Sequence, residues 1–141
     1  MQSDAKIVVV DDDKITRECL RSYFETEGYR VFCAESAEQA EGILRSEAID
    51  VVLLDIRLPG KDGLTLTREL RVNSEVGIIL VTGRQDDVDR LIGLECGADE
   101  YITKPFNPRE ILARTKNLVR RVRHGNSAKP SNALAQSFKQ F

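Results

Sequence analysis

The sequence holds one histidine, His124, and three cysteines, Cys19, Cys33 and Cys96, with no CxxC pair among them. That set is too widely spaced to build a zinc centre, and an odd cysteine count argues against a disulfide framework. The thiols read instead as small core hydrophobes. No apolar run approaches the ~18 residues needed to cross a bilayer. The first thirty residues are broken by Asp4, Lys6 and the run Asp11 to Lys14, so they do not resemble a signal peptide. Neither a GxGxxG turn nor a Walker loop is present, and nothing points to a nucleotide site. Charge of one sign is missing too: 21 basic residues face 23 acidic ones, for a net charge of −2. No global field therefore advertises a nucleic-acid or membrane partner.

What remains is ordinary globular material: 141 residues, 41% hydrophobic and 31% charged, the size of one domain. The expectation is a soluble, cytoplasmic protein. Short apolar runs recur at Ile7 to Val10, Val31 to Ala34, Val51 to Leu54, Ile78 to Val81 and Tyr101-Ile102. The first, third and fourth are almost continuous Val, Ile and Leu, as strands buried on both faces should be. Amphipathic stretches separate them. Ile15, Cys19, Tyr23 and Phe24 fall at helical spacing before Gly28. Ser36 with Gln39 reads as a capping box for a helix through Leu44. Further helices are predicted from Leu64 to about Val72, and from about Asp86 to Cys96 with Gly97 as its stop. Asn107, Pro108 and Glu110 mark the start of the last helix, expected to run to about Val122. Strands alternating with helices imply an α/β fold: a five-stranded parallel sheet with right-handed crossovers, surrounded by five helices. From His124 the character changes to Gly125, Asn126, Ser127, Pro130, Ser131 and Asn132. Residues 124–141 are therefore read as a linker or tail following a domain of residues 1–123.

The informative polar residues stand at strand ends. Asp11, Asp12 and Asp13 follow the first strand, Asp55 the third and Thr82 the fourth, with Lys104 just past the fifth. In open parallel sheets, ligands bind outside the carboxyl ends of the strands, where the strand order reverses. With the flavodoxin-like order 2-1-3-4-5, the first and third strands are neighbours there, and the aspartates converge. Clustered carboxylates cannot all stay ionised without a partner. A hard divalent cation answers this: Mg²⁺ takes oxygen ligands and keeps waters and phosphates, with Mn²⁺ as the alternative ion. An aspartate beside it is a nucleophile suited to a phosphoryl group. Lys104 supplies a point charge for phosphoryl oxygens and Thr82 a hydroxyl donor. Each residue also has a plain reading: a helix cap for Asp11, Asp12 or Asp13, a turn for Thr82, a solvated charge for Lys104. Lys104-Pro105 is in addition a candidate cis bond. The coincidence at four strand ends favours the chemistry.

These stretches resemble the receiver domains of bacterial two-component response regulators. The matching segments are Ile7 to Asp13, Val51 to Gly63, Val81-Thr82-Gly83 and Gly97 to Phe106, in family order and at family spacing across residues 5–123. The resemblance implies that Asp55 is the phosphoacceptor, receiving its phosphoryl group from a sensor histidine kinase. Asp11 and Asp12 would hold Mg²⁺, with Asp12 favoured as the direct ligand, joined by Asp55 and the backbone carbonyl of Arg57. Thr82 and Tyr101 match the switch pair, and Lys104 the lysine of the family. Gly77 to Arg84 and the last two helices look like the OmpR/PhoB type, closest to regulators of anaerobic respiration. That type carries a C-terminal winged-helix DNA-binding domain, which has no room here, so the chain is expected to be either an excised receiver or a stand-alone one, the linker-like end at Phe141 favouring excision. It also implies a phosphorylation-dependent homodimer through the fourth helix, fifth strand and fifth helix. The matching charge pairs are Arg90 with Glu110, Glu100 with Arg114, and Asp99 with Arg121; otherwise they form a solvated charged face, where exposed pairs contribute little. Arg57 and Arg84, two residues past Asp55 and Thr82, are candidates for tuning phosphoryl lifetime. By this reading the chain is a switch that phosphorylates itself from a donor and slowly loses the group, not a turnover enzyme. Two alternatives stand beside it. One is a phosphohydrolase of the haloacid-dehalogenase type, started by Asp11 to Ile15, but it leaves Asp55 without a role. The other is an interaction module that never takes phosphate.

Overall fold

In a computed structural model, the structure describes residues 4–83 and 87–138, and of residues 87–89 and 125–138 the backbone alone. Strands β1 (Lys6–Val10), β2 (Arg30–Ala34), β3 (Val51–Leu54), β4 (Gly77–Thr82) and β5 (Glu100–Thr103) alternate with five helices. These are α1 (Lys14–Thr26), α2 (Ala37–Ser46), α3 (Gly63–Asn73), α4 (Asp87–Glu95) and α5 (Pro108–Phe138). The sheet runs β2-β1-β3-β4-β5, every pair parallel. This is the five-stranded parallel α/β sheet that the apolar rhythm implies, in the flavodoxin-like order.

The two-residue alternation of each strand sends side chains to opposite faces. Ile7, Val9, Leu53 and Ile79 meet Leu20 and Phe24 of α1 and Ile111 and Leu118 of α5 on one face. Val8, Val10, Leu54, Ile78 and Leu80 meet Ala37 and Ala40 of α2 and Leu66 of α3 on the other. Residues of β1, β3 and β4 are buried throughout except Lys6, which is why those runs carry no polar interruption. Full burial of each such side chain contributes about 1.5–3 kcal/mol, so these three strands form a stiff support.

Local chemistry fixes where the helices begin. Asp13 caps α1, its carboxylate accepting from the Thr16 amide at 3.2 Å and the Thr16 hydroxyl at 2.7 Å. Ser36 caps α2 through the Gln39 amide, and the Gln39 side chain accepts from the Glu35 amide, one residue earlier than a standard capping box requires. Asp62 caps α3 through the Thr65 amide, and Asn107 caps α5 through the Arg109 amide. At the opposite edge of the sheet, away from the strands' carboxyl ends, charges are mutually satisfied. Asp50 accepts from the Lys6 amide at 2.9 Å and binds the Arg123 guanidinium, which also reaches Asp4, while the Lys6 ammonium pairs with Glu47.

Two expectations differ from the structure. Cys19, read as a core thiol, is exposed, and Cys33 and Cys96 are only half-buried. The last helix does not stop near Val122 but continues in backbone through Gly125 and Pro130 to Phe138. Ala128, Ala133, Leu134 and Ala135 in that stretch are good helix formers, so propensity there outweighs the breakers. Among the described residues, no helix is long and apolar enough to cross a membrane.

Candidate functional site

Strand register builds the site. Val10 of β1 lies opposite Leu54 of β3, so the next residues, Asp11 and Asp55, leave the sheet side by side. The ladder continues one step beyond the strands, the Asp55 amide donating to the Val10 carbonyl at 2.9 Å. On the other side of β3, Thr82 pairs with Thr103, and the Lys104 amide donates to the Thr82 carbonyl at 2.8 Å. Lys104 then reaches back across the strand ends. Its ammonium lies 2.8 Å from Asp11 Oδ2 and 3.1 Å from Asp55 Oδ2. The Lys104–Pro105 peptide that follows is cis.

Asp11 is 3% exposed and Asp55 7%, while Asp12 is exposed. One carboxylate oxygen from each lies within 4.8 Å of the others. Three acidic groups against one ammonium leave the cluster short of positive charge. Burial pushes the Asp11 carboxyl above its ordinary value; the bond from Lys104 and the Asp13 amide, 2.9 Å from Oδ1, offset this only in part. For Lys104, burial pulls the other way, but its bonds to Asp11 and Asp55 outweigh it and hold the ammonium above its ordinary value. Asp13 is separate from the cluster: the Thr16 hydroxyl holds its carboxyl below the usual value, as suits a helix cap.

A divalent cation fits this donor set. The ligand atoms are hard carboxylate oxygens, close enough together to share one ion and in excess of the nearby cation. Asp55 is also oriented from behind. The Arg57 amide donates to its Oδ1 at 3.2 Å. Gly63, the first residue of α3, packs so closely that a Cβ there would stand 2.2 Å from the Asp55 carbonyl oxygen. In the sequence Gly63 stands only as the end of the matched segment, because a close approach of two backbones leaves no periodic signal.

Thr82 is fully buried and its hydroxyl has no hydrogen-bond partner among the described residues. Tyr101 is half-buried beside the cluster that contains Leu80, with its ring near Gly93 of α4. Arg57 is exposed; Arg84 lies outside the described residues. The residues of the expected dimer face are spread over α4, β5 and α5. Arg90 is exposed. Within the chain, Arg114 binds Glu100 at 2.6 Å and Glu110 at 3.1 Å, and Arg121 approaches Glu100 at 3.9 Å. Asp99 is engaged elsewhere: its Oδ2 accepts from Arg71 of α3 at 2.7 Å and from the Ile78 amide at 2.8 Å. The same face exposes Leu91 and Leu94 of α4, which the sequence reading did not single out although they lie three residues apart, at helical spacing.

Residues 7–116 match the Response regulator receiver domain. The chain belongs to that family. It is 59% identical over 141 residues to the transcriptional regulatory protein AruR of Pseudomonas aeruginosa, covering 96% of this chain and 57% of the relative. It is 45% identical over 133 residues to the aerobic respiration control protein ArcA of Escherichia coli, covering 94% and 56%. The receiver domain thus spans little more than half the length of those relatives. Among solved structures it is similar to the receiver domain of TorR, a response regulator of the TMAO respiratory system, with a TM-score of 0.80 and 50% identity over 84% of this chain and 99% of that one. The resemblance to OmpR/PhoB-type regulators, respiratory ones among them, agrees with these relatives.

Proposed function

We propose that this receiver domain is a phosphorylation switch in which Asp55 is the phosphoacceptor. One observation carries the reading: strand register and Lys104 gather Asp11, Asp12 and Asp55 into one cluster at the sheet's carboxyl edge. Asp55 takes the group from a phosphohistidine of a sensor histidine kinase. A carboxylate oxygen forms the new P–O bond as the P–N bond breaks; the electron pair stays on the imidazole, which takes up a proton. Asp11, Asp12 and Asp55 would hold Mg²⁺ or Mn²⁺, with the Arg57 carbonyl as a further donor. Such an ion supplies charge neutralisation between carboxylates and phosphoryl oxygens.

Lys104 holds the carboxylates before transfer and phosphoryl oxygens after it. The buried Thr82 hydroxyl, with no partner among the described residues, finds an acceptor in a phosphoryl oxygen, and Tyr101 follows it inward. That movement biases the α4–β5–α5 face toward a homodimer, with Leu91 and Leu94 at its apolar centre. Arg90 with Glu110, Glu100 with Arg114, and Asp99 with Arg121 set its register across the two-fold axis. Because Arg114 and Asp99 already hold partners within one chain, pairing requires exchange and adds specificity more than affinity. Arg57 and Arg84 tune the rate at which water removes the group. The switch acts in the cytoplasm, and its output is transcription through a DNA-binding domain after residues 124–141, which serve as the connecting segment. The domain turns over no substrate beyond its own phosphorylation and dephosphorylation.

Intact mass after incubation with Mg²⁺ and acetyl phosphate tests this reading. A gain of one phosphoryl group, lost in Asp55→Ala and without metal, is the expected result. No gain by the folded protein, or labelling at Asp11 with continuing phosphate release, would overturn it.

A further inference from the structure

Lys61 lies near the end of the loop that joins β3 to α3, six residues after Asp55. Its ammonium bonds Glu41 of α2 and Glu69 of α3, each at 2.5 Å. The Lys61 and Glu41 side chains are about three-quarters buried, so this is not a solvated charge on a free loop. Both glutamates line a cavity of about 560 Å³ between α2 and α3. Without a cation between them, the two carboxylates would repel across that gap.

The loop has little freedom elsewhere. Its ends are drawn together by the Gly63 amide donating to the Ile56 carbonyl at 2.8 Å. Gly60 turns with φ of +77°, a conformation that glycine adopts without steric cost, and its Cα faces the Glu38 carboxylate of α2. The loop's first residues carry a main-chain donor to the Asp55 side chain, the Arg57 amide at 3.2 Å from Oδ1. A clamp on the tip of a closed loop therefore restrains the main chain that orients Asp55.

We propose that Lys61 is a positioning residue: by tying the loop to α2 and α3 it holds the Arg57 main chain against Asp55 and presets the carboxylate for metal and phosphoryl group. The proposal rests on Asp55 being the phosphoacceptor. A group that orients a metal-binding carboxylate changes metal affinity by about 10–100-fold when lost. Lys61 acts one step further out, so the expected effect is at the low end, about tenfold.

The test compares the parent with Lys61→Met, Lys61→Arg and the double variant Glu41→Gln/Glu69→Gln, with Asp55→Ala as control. Mg²⁺ affinity is read from amide shifts around Asp55 and Arg57. The phosphorylation rate from acetyl phosphate is measured at saturating Mg²⁺, and a melting curve is recorded for each protein. Lys61→Met and the double variant are expected to bind Mg²⁺ about tenfold more weakly while still folded at the assay temperature, with faster hydrogen exchange at the Arg57 amide. Lys61→Arg recovers most of the affinity. Parental affinity and Arg57 exchange in Lys61→Met overturn the proposal, as does an equal loss in Lys61→Arg. If instead Lys61→Met lowers Mg²⁺ affinity but the parent takes up no phosphoryl group, the phosphoacceptor reading fails and the positioning of the carboxylate stands.

Discussion

The ammonium of Lys104 lies 2.8 Å from Asp11 Oδ2, although 93 residues separate them in the chain. The contact joins the first and last strands over the ends of the two between them. Removing that ammonium leaves Asp11 and Asp55 buried without their counter-ion. Breaking a buried pair costs about 3–5 kcal/mol, and the partial exposure of Lys104 lowers the expectation for Lys104→Met to about 1–3 kcal/mol. Chemical denaturation at neutral pH measures the loss. Adding Mg²⁺ should restore part of it, since the ion binds the folded state alone.

Acidity should act on metal binding and stability in opposite directions. Burial raises the Asp11 carboxyl above 3.8 in the folded protein, so the folded state holds this proton more tightly than the unfolded chain. As pH falls from the raised value toward 3.8, Asp11 therefore adds stability to the metal-free protein; as pH rises through that window, the contribution is lost. Mg²⁺ needs the ionised form, so its affinity falls as Asp11 gains its proton. Melting curves and Mg²⁺ titrations between pH 7 and 4, against Asp11→Asn, should show both trends in the parent and flatten them in the variant.

Thr82→Val separates fold from switch. The hydroxyl is buried and has no partner among the described residues, so replacing it by a methyl group removes an unsatisfied donor and should stabilise the unphosphorylated protein by about 1 kcal/mol. The variant should still gain a phosphoryl group, yet dimerise less on doing so. Melting temperature and light scattering with and without acetyl phosphate measure the two effects. A variant as dimeric as the parent would remove Thr82 from the switch.

Gly63→Ala places a Cβ 2.2 Å from the Asp55 carbonyl. Backbone, not a flexible side-chain end, must then yield, and overpacking of this kind costs about 1–3 kcal/mol. Because α3 would be pushed away from Asp55 itself, phosphoryl uptake should fall as well. Gly42→Ala, in open space inside α2, serves as the control: it should leave phosphoryl uptake unchanged and, at a helix-interior position, raise stability by about 0.5–1 kcal/mol.

Strand ends were legible because a run of buried Val, Ile and Leu stops at its first charge: Asp11 and Asp55 could be placed by counting. The roles of three consecutive aspartates could not. Asp13 turns out to cap α1, Asp12 is exposed, and only Asp11 is buried against Lys104. Position after the strand leaves all three equal, since the distinction depends on how the chain turns from strand to helix; only the family resemblance sets Asp11 and Asp12 apart from Asp13. Asp99 shows the same limit. Its pairing with Arg71 joins α3 to the start of β5, a contact between remote elements that no periodicity announces. The length of α5 is hidden for a different reason: Gly125 and Pro130 read as breakers, while Ala128, Ala133 and Ala135 around them favour helix.

The salt-bridged edge of the sheet, where Asp50 holds the Lys6 amide and Arg123, divides the molecule's tolerance of change. Substitutions there remove matched partners and should show up as lower yield or heat sensitivity, with signalling intact in whatever protein survives. At the carboxyl edge the Thr82 hydroxyl has no partner among the described residues, so an apolar replacement there should leave a sturdier protein with a weaker response. A screen scoring abundance and response separately should sort its hits by sheet edge, with Asp50 and Arg123 in the first class and Thr82 in the second.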